Sequence, residues 1–464
     1  MTLAPSLAPT VAPSAGGLDP NRFEVAEAWY PVHYVADLDR ERPTAFTLLG
    51  KDLVIWWEPQ TNAWRAMVDQ CPHRLARLSE GRINEDGQLE CPYHGWSFTG
   101  EGQCDRIPQQ PDGGQAEKSQ RACVQSFPTA VAQDLLFVYP GEAIDRPPVP
   151  LVAPVAAEPD GWVIINTFRD LPYDAFTLME NVLDASHLPY THHSTVGNRA
   201  NAAPVELEIS TSGKHGFTGV WPEGPRKGKL GTQHTTFVAP NLMWHDLTSK
   251  QFGRTLTVVY ATPTKPGFCR LFARFPFKFP KGNIFPSVIF KFNPQWYSHI
   301  SQHTILEDDQ IFLHHQERYL AQQGGAANFT KAFYLPTKAD LFVFEFRQWI
   351  NHYQVETFAD ESLPPAQSKP QLLDRYHSHT ISCRSCSAAL KNLQKLQLAL
   401  SLMAFGGWAG GSTIAITSTM AWPLYLAIAI TGVSLGGRWQ AGQLIKKLQY
   451  GQDIPPRNRL AKRR

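Results

Sequence analysis

Thiols stand beside imidazoles at two places in the chain. In "CPHR" one residue separates Cys71 from His73, and in "CPYHGWSF" two residues separate Cys91 from His94, with seventeen residues between the pairs. Two thiolates and two imidazoles form a metal-ligand set. Zinc is the plain reading, because Cys2His2 is a familiar tetrahedral zinc set. The sharper reading is a [2Fe-2S] cluster with both thiolates on one iron and both imidazoles on the other, which raises the reduction potential above that of an all-cysteine cluster. Each loop must then offer one ligand to each iron, and a Cys/His pair in each loop does so. Pro72, Pro92 and Gly95 would shape the loops, while Tyr93 and Trp96 would limit solvent access.

A cluster of this kind, the Rieske type, only moves electrons, so a second site should receive them. "ENVLDASHLPYTHH" (180–193) holds Asp184, His187 and His192 in the spacing D-x-x-H-x4-H. Two imidazoles projecting from a helix and its broken end suit two corners of a 2-His-1-carboxylate site for non-haem Fe(II), which leaves positions open for O2. Alone, surface histidines near a proline would be the commoner explanation. After a Rieske motif, the two sites explain each other. The carboxylate is sought in "ILEDDQIFLHHQE" (305–317), where Glu307, Asp308 and Asp309 precede an apolar run. A solvated acidic turn or helix cap is the competing reading. Asp309 is taken as the ligand, with Asp308 as the adjacent alternative.

With both motifs in place, the chain resembles the Rieske non-haem iron oxygenases over roughly residues 24–390. The resemblance implies a [2Fe-2S] cluster on Cys71, His73, Cys91 and His94, and a mononuclear Fe(II) on His187, His192 and Asp309. It casts Asp184 as the bridge from a neighbouring subunit's cluster histidine, His94, to this subunit's iron, and so implies a homotrimer fed by ferredoxin or a similar reductant. "GWSFTGEGQCDRIPQ", "RACVQSFPT", "LPYTHH" and "HTISCRSC" are similar to the membrane-attached, pheophorbide a oxygenase-like branch. That branch implies a tetrapyrrole substrate such as a chlorophyll derivative, and a thioredoxin-addressable dithiol at Cys383 and Cys386, whose C-x-x-C spacing also permits a disulfide. The start of the chain suggests a cyanobacterial-type member. Cys104, Cys123 and Cys269 read as small core residues.

These sites need elements to position them. A chain of 464 residues should hold more than one domain. Seven cysteines, thinly spread, fit a reducing compartment better than a disulfide framework, and a net charge of +2 gives no electrostatic case for nucleic acid. The Pro/Ala-rich residues 1–22 read as a disordered tail. Short strands such as "DLVIWWE", "AWRAMVD", "QLECPYH" and "DLLFVYP" suggest an all-β Rieske domain over 23–145, followed by a proline-rich linker, 146–160. The iron-binding domain then spans 161–380, an α+β helix-grip fold. In it, "YDAFTLMENVLDASH" should be helical until Pro189, residues 205–320 alternate like an antiparallel sheet, and 338–356 reads as a helix.

A segment carrying the C-x-x-C, 381–395, leads into 396–437, where no charged residue occurs. That stretch fits a transmembrane helical hairpin, with a buried hairpin in a soluble core as the other reading. Gly410, Gly411 and residues 412–419 could serve the turn or close packing. Basic residues flank both ends, including the tail 438–464, which places both ends and the catalytic domains on the cytoplasmic side of a thylakoid or plasma membrane. Aromatic residues in 271–297 could line a pocket, although sheet core is their more ordinary role. The reading that follows is a ferredoxin-dependent oxygenase. Its rival is a membrane-bound electron-transfer or redox-sensing subunit without turnover, against which Asp184, His187 and His192 speak.

Overall fold

The computed structural model describes residues 21–249, 253–280, 292–358, 361–417 and 421–459. Most of the proposed N-terminal tail, part of the aromatic run 271–297 and the tip of the C-terminal hairpin lie outside them.

The N-terminal domain is built around the strand Lys51–Glu58, in which Leu53, Val54, Ile55 and Trp56 are all buried. Side chains alternate sides along a strand, so such a run must face two cores. Leu53 and Ile55 pack with Tyr30, Phe46 and Val138, whereas Val54 and Trp56 pack with Cys71, Leu78, Cys91 and Phe98 beneath the two Cys/His loops. The loops are carried by short strands only: "QLECPYH" is extended just at Leu89–Glu90, because the rest of it turns back to form a loop.

The second domain has a seven-stranded antiparallel sheet in the order Val163–Leu171, Phe268–Lys278, Gly253–Lys265, Leu242–Ser249, Gln233–Val238, Gly216–Trp221 and Glu208–Gly213. The strand Gly253–Lys265 again alternates between two cores. Val259 and Ala261 meet the helices Ala175–Leu183 and Leu341–His352, while Leu256, Val258 and Tyr260 meet Leu135, Phe137 and Tyr139 of the first domain. The linker is docked. Pro147 O accepts from Trp29 Nε1 (2.8 Å), and Val155 of a short helix is buried. Phe272 and Ala273 lie in the sheet core.

Two expectations change here. The described part of the alternating region has its last strand at Phe268–Lys278, residues 281–291 lie outside the described residues, and Gln295–Gln322 is a 28-residue helix. Its buried positions include His299, His303, Glu307, Asp308, Asp309, His314 and Glu317, so no apolar period marked it. The chain also leaves the helix Ala175–Leu183 at Asp184, well before Pro189. Pro189 sits instead in the first turn of a new helix, Leu188–Thr191, where a missing N–H costs nothing.

At the C-terminus, helices Arg384–Thr417 and Trp422–Gln449 form a hairpin. Among the described residues, one helix, Arg384–Thr417, is long and apolar enough to cross a membrane. Gly410 and Gly411 lie inside that helix and not in a turn. Gly411 faces Ala427 and Gly407 faces Thr431, the close packing that small residues permit. The segment 438–464 is not simply a basic tail. The second helix runs to Gln449, then Tyr450 pairs with Asp374 and the Gly451 amide bonds Leu373 O (2.8 Å).

Glu307 is clamped by two buried guanidiniums. Arg169 Nη1 lies 2.8 Å from Oε1, and Arg375 donates from Nε (2.6 Å) and Nη2 (2.7 Å). Burial alone would raise the Glu307 pKa, yet Arg169 and Arg375 outweigh it and hold the group below the usual carboxylate range. This contribution to stability is present above the unfolded carboxylate pKa and is lost as pH falls through the lower folded value. Glu307→Ala strands two cations and should cost about 3–5 kcal/mol, read as a lower midpoint in thermal denaturation.

Candidate metal centres

The two Cys/His loops are built alike. The Cys71 amide bonds Ala76 O (2.8 Å) and the Leu75 amide bonds Cys71 O (2.9 Å); the Cys91 amide bonds Trp96 O (2.8 Å) and the Gly95 amide bonds Cys91 O (3.1 Å). Leu75 and Gly95 occupy equivalent left-handed positions, φ 59° and 71°. The loops bring the donors together as two pairs. Cys71 and Cys91 are buried, and a hydrogen bond from the Cys71 thiol holds Cys91 down to about 6. His73 and His94 lie outside them, with ring centroids 4.6 Å apart, and Trp96 stacks on His73 at 4.7 Å. Thiols inward as one pair and imidazoles outward as another is the division a two-iron cluster requires, and it leaves the histidine edges toward solvent.

The second centre gathers His187, His192 and Asp309. His187 Nε2 and His192 Nε2 are 3.3 Å apart, and Asp309 lies 3.2 Å from His192 Nε2 and 4.0 Å from His187 Nε2. The helix break at Asp184 and the short helix after it aim both imidazoles inward. Asp309 comes from the middle of the long helix, and Asn181 Nδ2 donates to its Oδ1 (3.4 Å). Two neutral imidazoles and one carboxylate suit a divalent iron.

Glu307, Asp308 and Asp309 are neither solvated nor a cap. Successive helical residues point about 100° apart, and each carboxylate has its own duty. Glu307 meets the two arginines. Asp308 stands behind the site, with Oδ2 3.5 Å from His192 Nδ1, and accepts from the Thr195 hydroxyl (3.1 Å). Asp309 faces the two imidazoles. Burial would lower the His192 pKa, but Asp308 and Asp309 outweigh it and push it up to about 9, so the surroundings favour positive charge at this point.

Asp184 departs from expectation. His187 Nδ1–H donates to its main-chain carbonyl (2.6 Å), whereas the carboxylate is 3.9 Å away. Having left the helix, Asp184 uses Oδ1 to accept from the Ser186 amide (2.7 Å) and hydroxyl (2.6 Å). Its side chain is 29% exposed. Among the described residues no hydrogen bond joins His94 to Asp184 within one chain.

Cys383 and Cys386 are free, fully buried, and face His299 and His379. Cys104 and Cys269 are buried as expected, but Cys123 is exposed. Two participants were not assigned by the sequence. Asp308 could be told from Asp309 only by what each faces. Arg457 bonds Asp308 O (2.5 Å) and Thr191 O (3.3 Å) from beyond the hairpin.

The chain is similar to known proteins over most of its length. Residues 28–128 match the Rieske [2Fe-2S] domain and residues 237–327 the pheophorbide a oxygenase family. The chain is 38% identical to the chloroplastic pheophorbide a oxygenase of Oryza sativa subsp. japonica over 415 residues, covering 83% of this chain and 77% of that one. It is 34% identical over 477 residues to flavonoid 8-hydroxylase 2 of Ocimum basilicum, covering 94% and 87%. Among solved structures, dicamba monooxygenase bound to dicamba shares the fold, with a TM-score of 0.57 at 21% identity over 71% of this chain and 98% of that one.

The geometry separates the two aspartates experimentally. Asp309→Ala should abolish mononuclear iron while leaving the cluster's visible spectrum. Asp308→Asn should retain a site but weaken Fe(II) affinity by about 10–100-fold, as for a group that orients a ligand. Iron titrations of both variants check this.

Proposed function

The chain belongs to the Rieske non-haem iron oxygenases, in the branch of pheophorbide a oxygenase, and on that premise we propose that it oxidises a chlorophyll-derived tetrapyrrole with electrons from ferredoxin or a similar donor. It is an oxygenase with a Rieske [2Fe-2S] cluster and a mononuclear iron. When bound, the cluster supplies single electrons and the iron supplies the place where O2 is activated.

The observation that carries the proposal is the convergence of His187, His192 and Asp309 within 4.8 Å, which an electron carrier would not need. In this reading Cys71, His73, Cys91 and His94 hold the cluster, and the other three hold the iron. The Asp184 carbonyl fixes the proton of His187 on Nδ1 and leaves Nε2 free as a donor. Asp308 does the same for His192, and Arg457 braces the helix beneath it. A groove of about 410 Å³ further along the long helix, between Phe312, Tyr319 and Phe333, offers aromatic surface to a flat apolar substrate.

The exposed edge of Asp184 supports the subunit arrangement. Its carboxylate could accept from His94 of a neighbouring copy, as in a ring of three. The hairpin presents Leu398, Leu402, Phe405, Trp408 and Val433 to its surroundings, each at least half exposed, as a membrane anchor would. It would hold the enzyme where apolar pigments partition, with the basic flanks on the cytoplasmic side.

The substrate is tested by supplying full-length protein in detergent with reduced ferredoxin, 18O2, and separate pools of pheophorbide a, chlorophyllide a and flavones. Incorporation of 18O into a tetrapyrrole is expected. Labelling of flavones alone would favour flavone hydroxylation, the reading suggested by the 34% identity to the basil enzyme. For Asp184→Asn, both metals should load normally while turnover falls at least about 10-fold. Unchanged reoxidation of the cluster in that variant would remove Asp184 from the route between subunits.

A further inference from the structure

A second group of thiols and imidazoles stands apart from both centres. His299 lies in the first turns of the helix Gln295–Gln322, His379 in the wide turn Tyr376–Thr380, Cys383 just after it, and Cys386 in the first turn of the hairpin helix Arg384–Thr417. All four are buried, the most exposed at 1%. One donor atom from each lies within 4.8 Å of all the others. His299 Nδ1 is 3.0 Å from His379 Nε2, 3.3 Å from Cys386 Sγ and 3.7 Å from Cys383 Sγ.

We propose that His299, His379, Cys383 and Cys386 form a structural Zn2+ site that fastens the base of the hairpin to the catalytic domain. A tetrahedral zinc with Zn–S about 2.3 Å and Zn–N about 2.0–2.1 Å sets its donors roughly 3.3–3.8 Å apart. The measured separations come close to that spacing. His299 is also oriented as a ligand would be. Its Nε2–H donates to Asn166 O (2.8 Å) on the edge strand of the sheet, which leaves the Nδ1 lone pair facing the thiols.

Without a cation, the group is poorly accounted for. His299 Nδ1 and His379 Nε2 have only each other, at 3.0 Å, and the two buried thiols beside them as partners. Packing two thiols and two imidazoles in so dry a place is unfavourable unless something uses their lone pairs. Zinc with two thiolates and two neutral imidazoles is electrically neutral and suits burial. A Cys383–Cys386 disulfide is the competing state; in it His379 Nε2–H would donate to His299 Nδ1 (3.0 Å), so the metal content and thiol state decide between the two. A second [2Fe-2S] cluster does not fit, because its thiolates and imidazoles would sit on different irons.

The test is the metal content of full-length protein purified in detergent without chelators. One zinc per chain is expected in addition to iron. Cys71→Ser should lose the cluster and keep the zinc, which shows that zinc is not occupying the cluster site. Cys383→Ser with Cys386→Ser should lower zinc at least about 10-fold while the cluster spectrum remains. Should that variant fail to fold, two further measurements decide. His379→Cys should keep zinc where His379→Ala loses it, and cobalt-grown wild-type protein should show thiolate-to-cobalt charge transfer with tetrahedral d–d bands. Wild-type protein with less than about a tenth of an equivalent of zinc, or with a Cys383–Cys386 disulfide after anaerobic purification, would overturn the assignment.

Discussion

The catalytic domain depends on burying three adjacent carboxylates in one helix. Glu307, Asp308 and Asp309 are all at least 95% buried, and a buried charge is tolerated only when it is paired and hydrogen-bonded. Because the three point in different directions, their partners must come from different parts of the chain. Arg169 arrives from the edge strand and Arg375 from the segment before the hairpin. Thr195 and the two histidines arrive from the broken helix, and Arg457 from beyond the hairpin. Satisfying the acids and assembling the iron site are therefore one structural problem.

The same helix links the site to the hairpin. Ten residues before Asp309 it carries His299 against Cys383 and Cys386, and at Glu307 it holds Arg375, whose Nη1 also donates to Lys447 O (2.7 Å) at the end of the second hairpin helix. The chain leaves for the hairpin at Arg384 and returns at Tyr450, and both ends are fixed to the catalytic domain. A displacement of the hairpin would reach the Asp308 backbone through Arg457 and the Glu307 carboxylate through Arg375. The hairpin and the candidate iron site therefore share one helix.

What was legible in the sequence was local. Both Cys/His loops, and the His187/His192 pair, could be read because each motif lies within one short turn whose spacing fixes the geometry. The alternating strands could be read because their inward residues are apolar. The helix Gln295–Gln322 was hidden, since its inward face is made of His, Asp and Glu that are neutralised by distant partners no periodicity reveals. Asp308 and Asp309 have the same chemistry and adjacent positions, so only the fold could assign one to the two Nε2 atoms and the other to His192 Nδ1. Cys383 and Cys386 were visible as a pair, but His299 lies 84 positions from Cys383, and nothing local joins them.

The chain thus presents the same four-ligand inventory twice, two thiols and two imidazoles, in arrangements that call for different occupants. In the N-terminal loops, one Cys and one His come from each of two similar turns. The turns oppose each other, so like donors pair up, with thiols inside and imidazoles outside. That separation asks for two metal ions with bridging atoms between them, one end sealed and the other near solvent, which suits an electron relay. At the hairpin base, three ligands come from one eight-residue stretch, His379 to Cys386, and the fourth from a helix lying across it, so all four donors converge on one point with no edge exposed. That closure asks for a single ion and gives it no contact with solvent, which suits a fastening. Ligand identity is common to both sites. The direction from which each ligand arrives separates an electron relay from a structural joint.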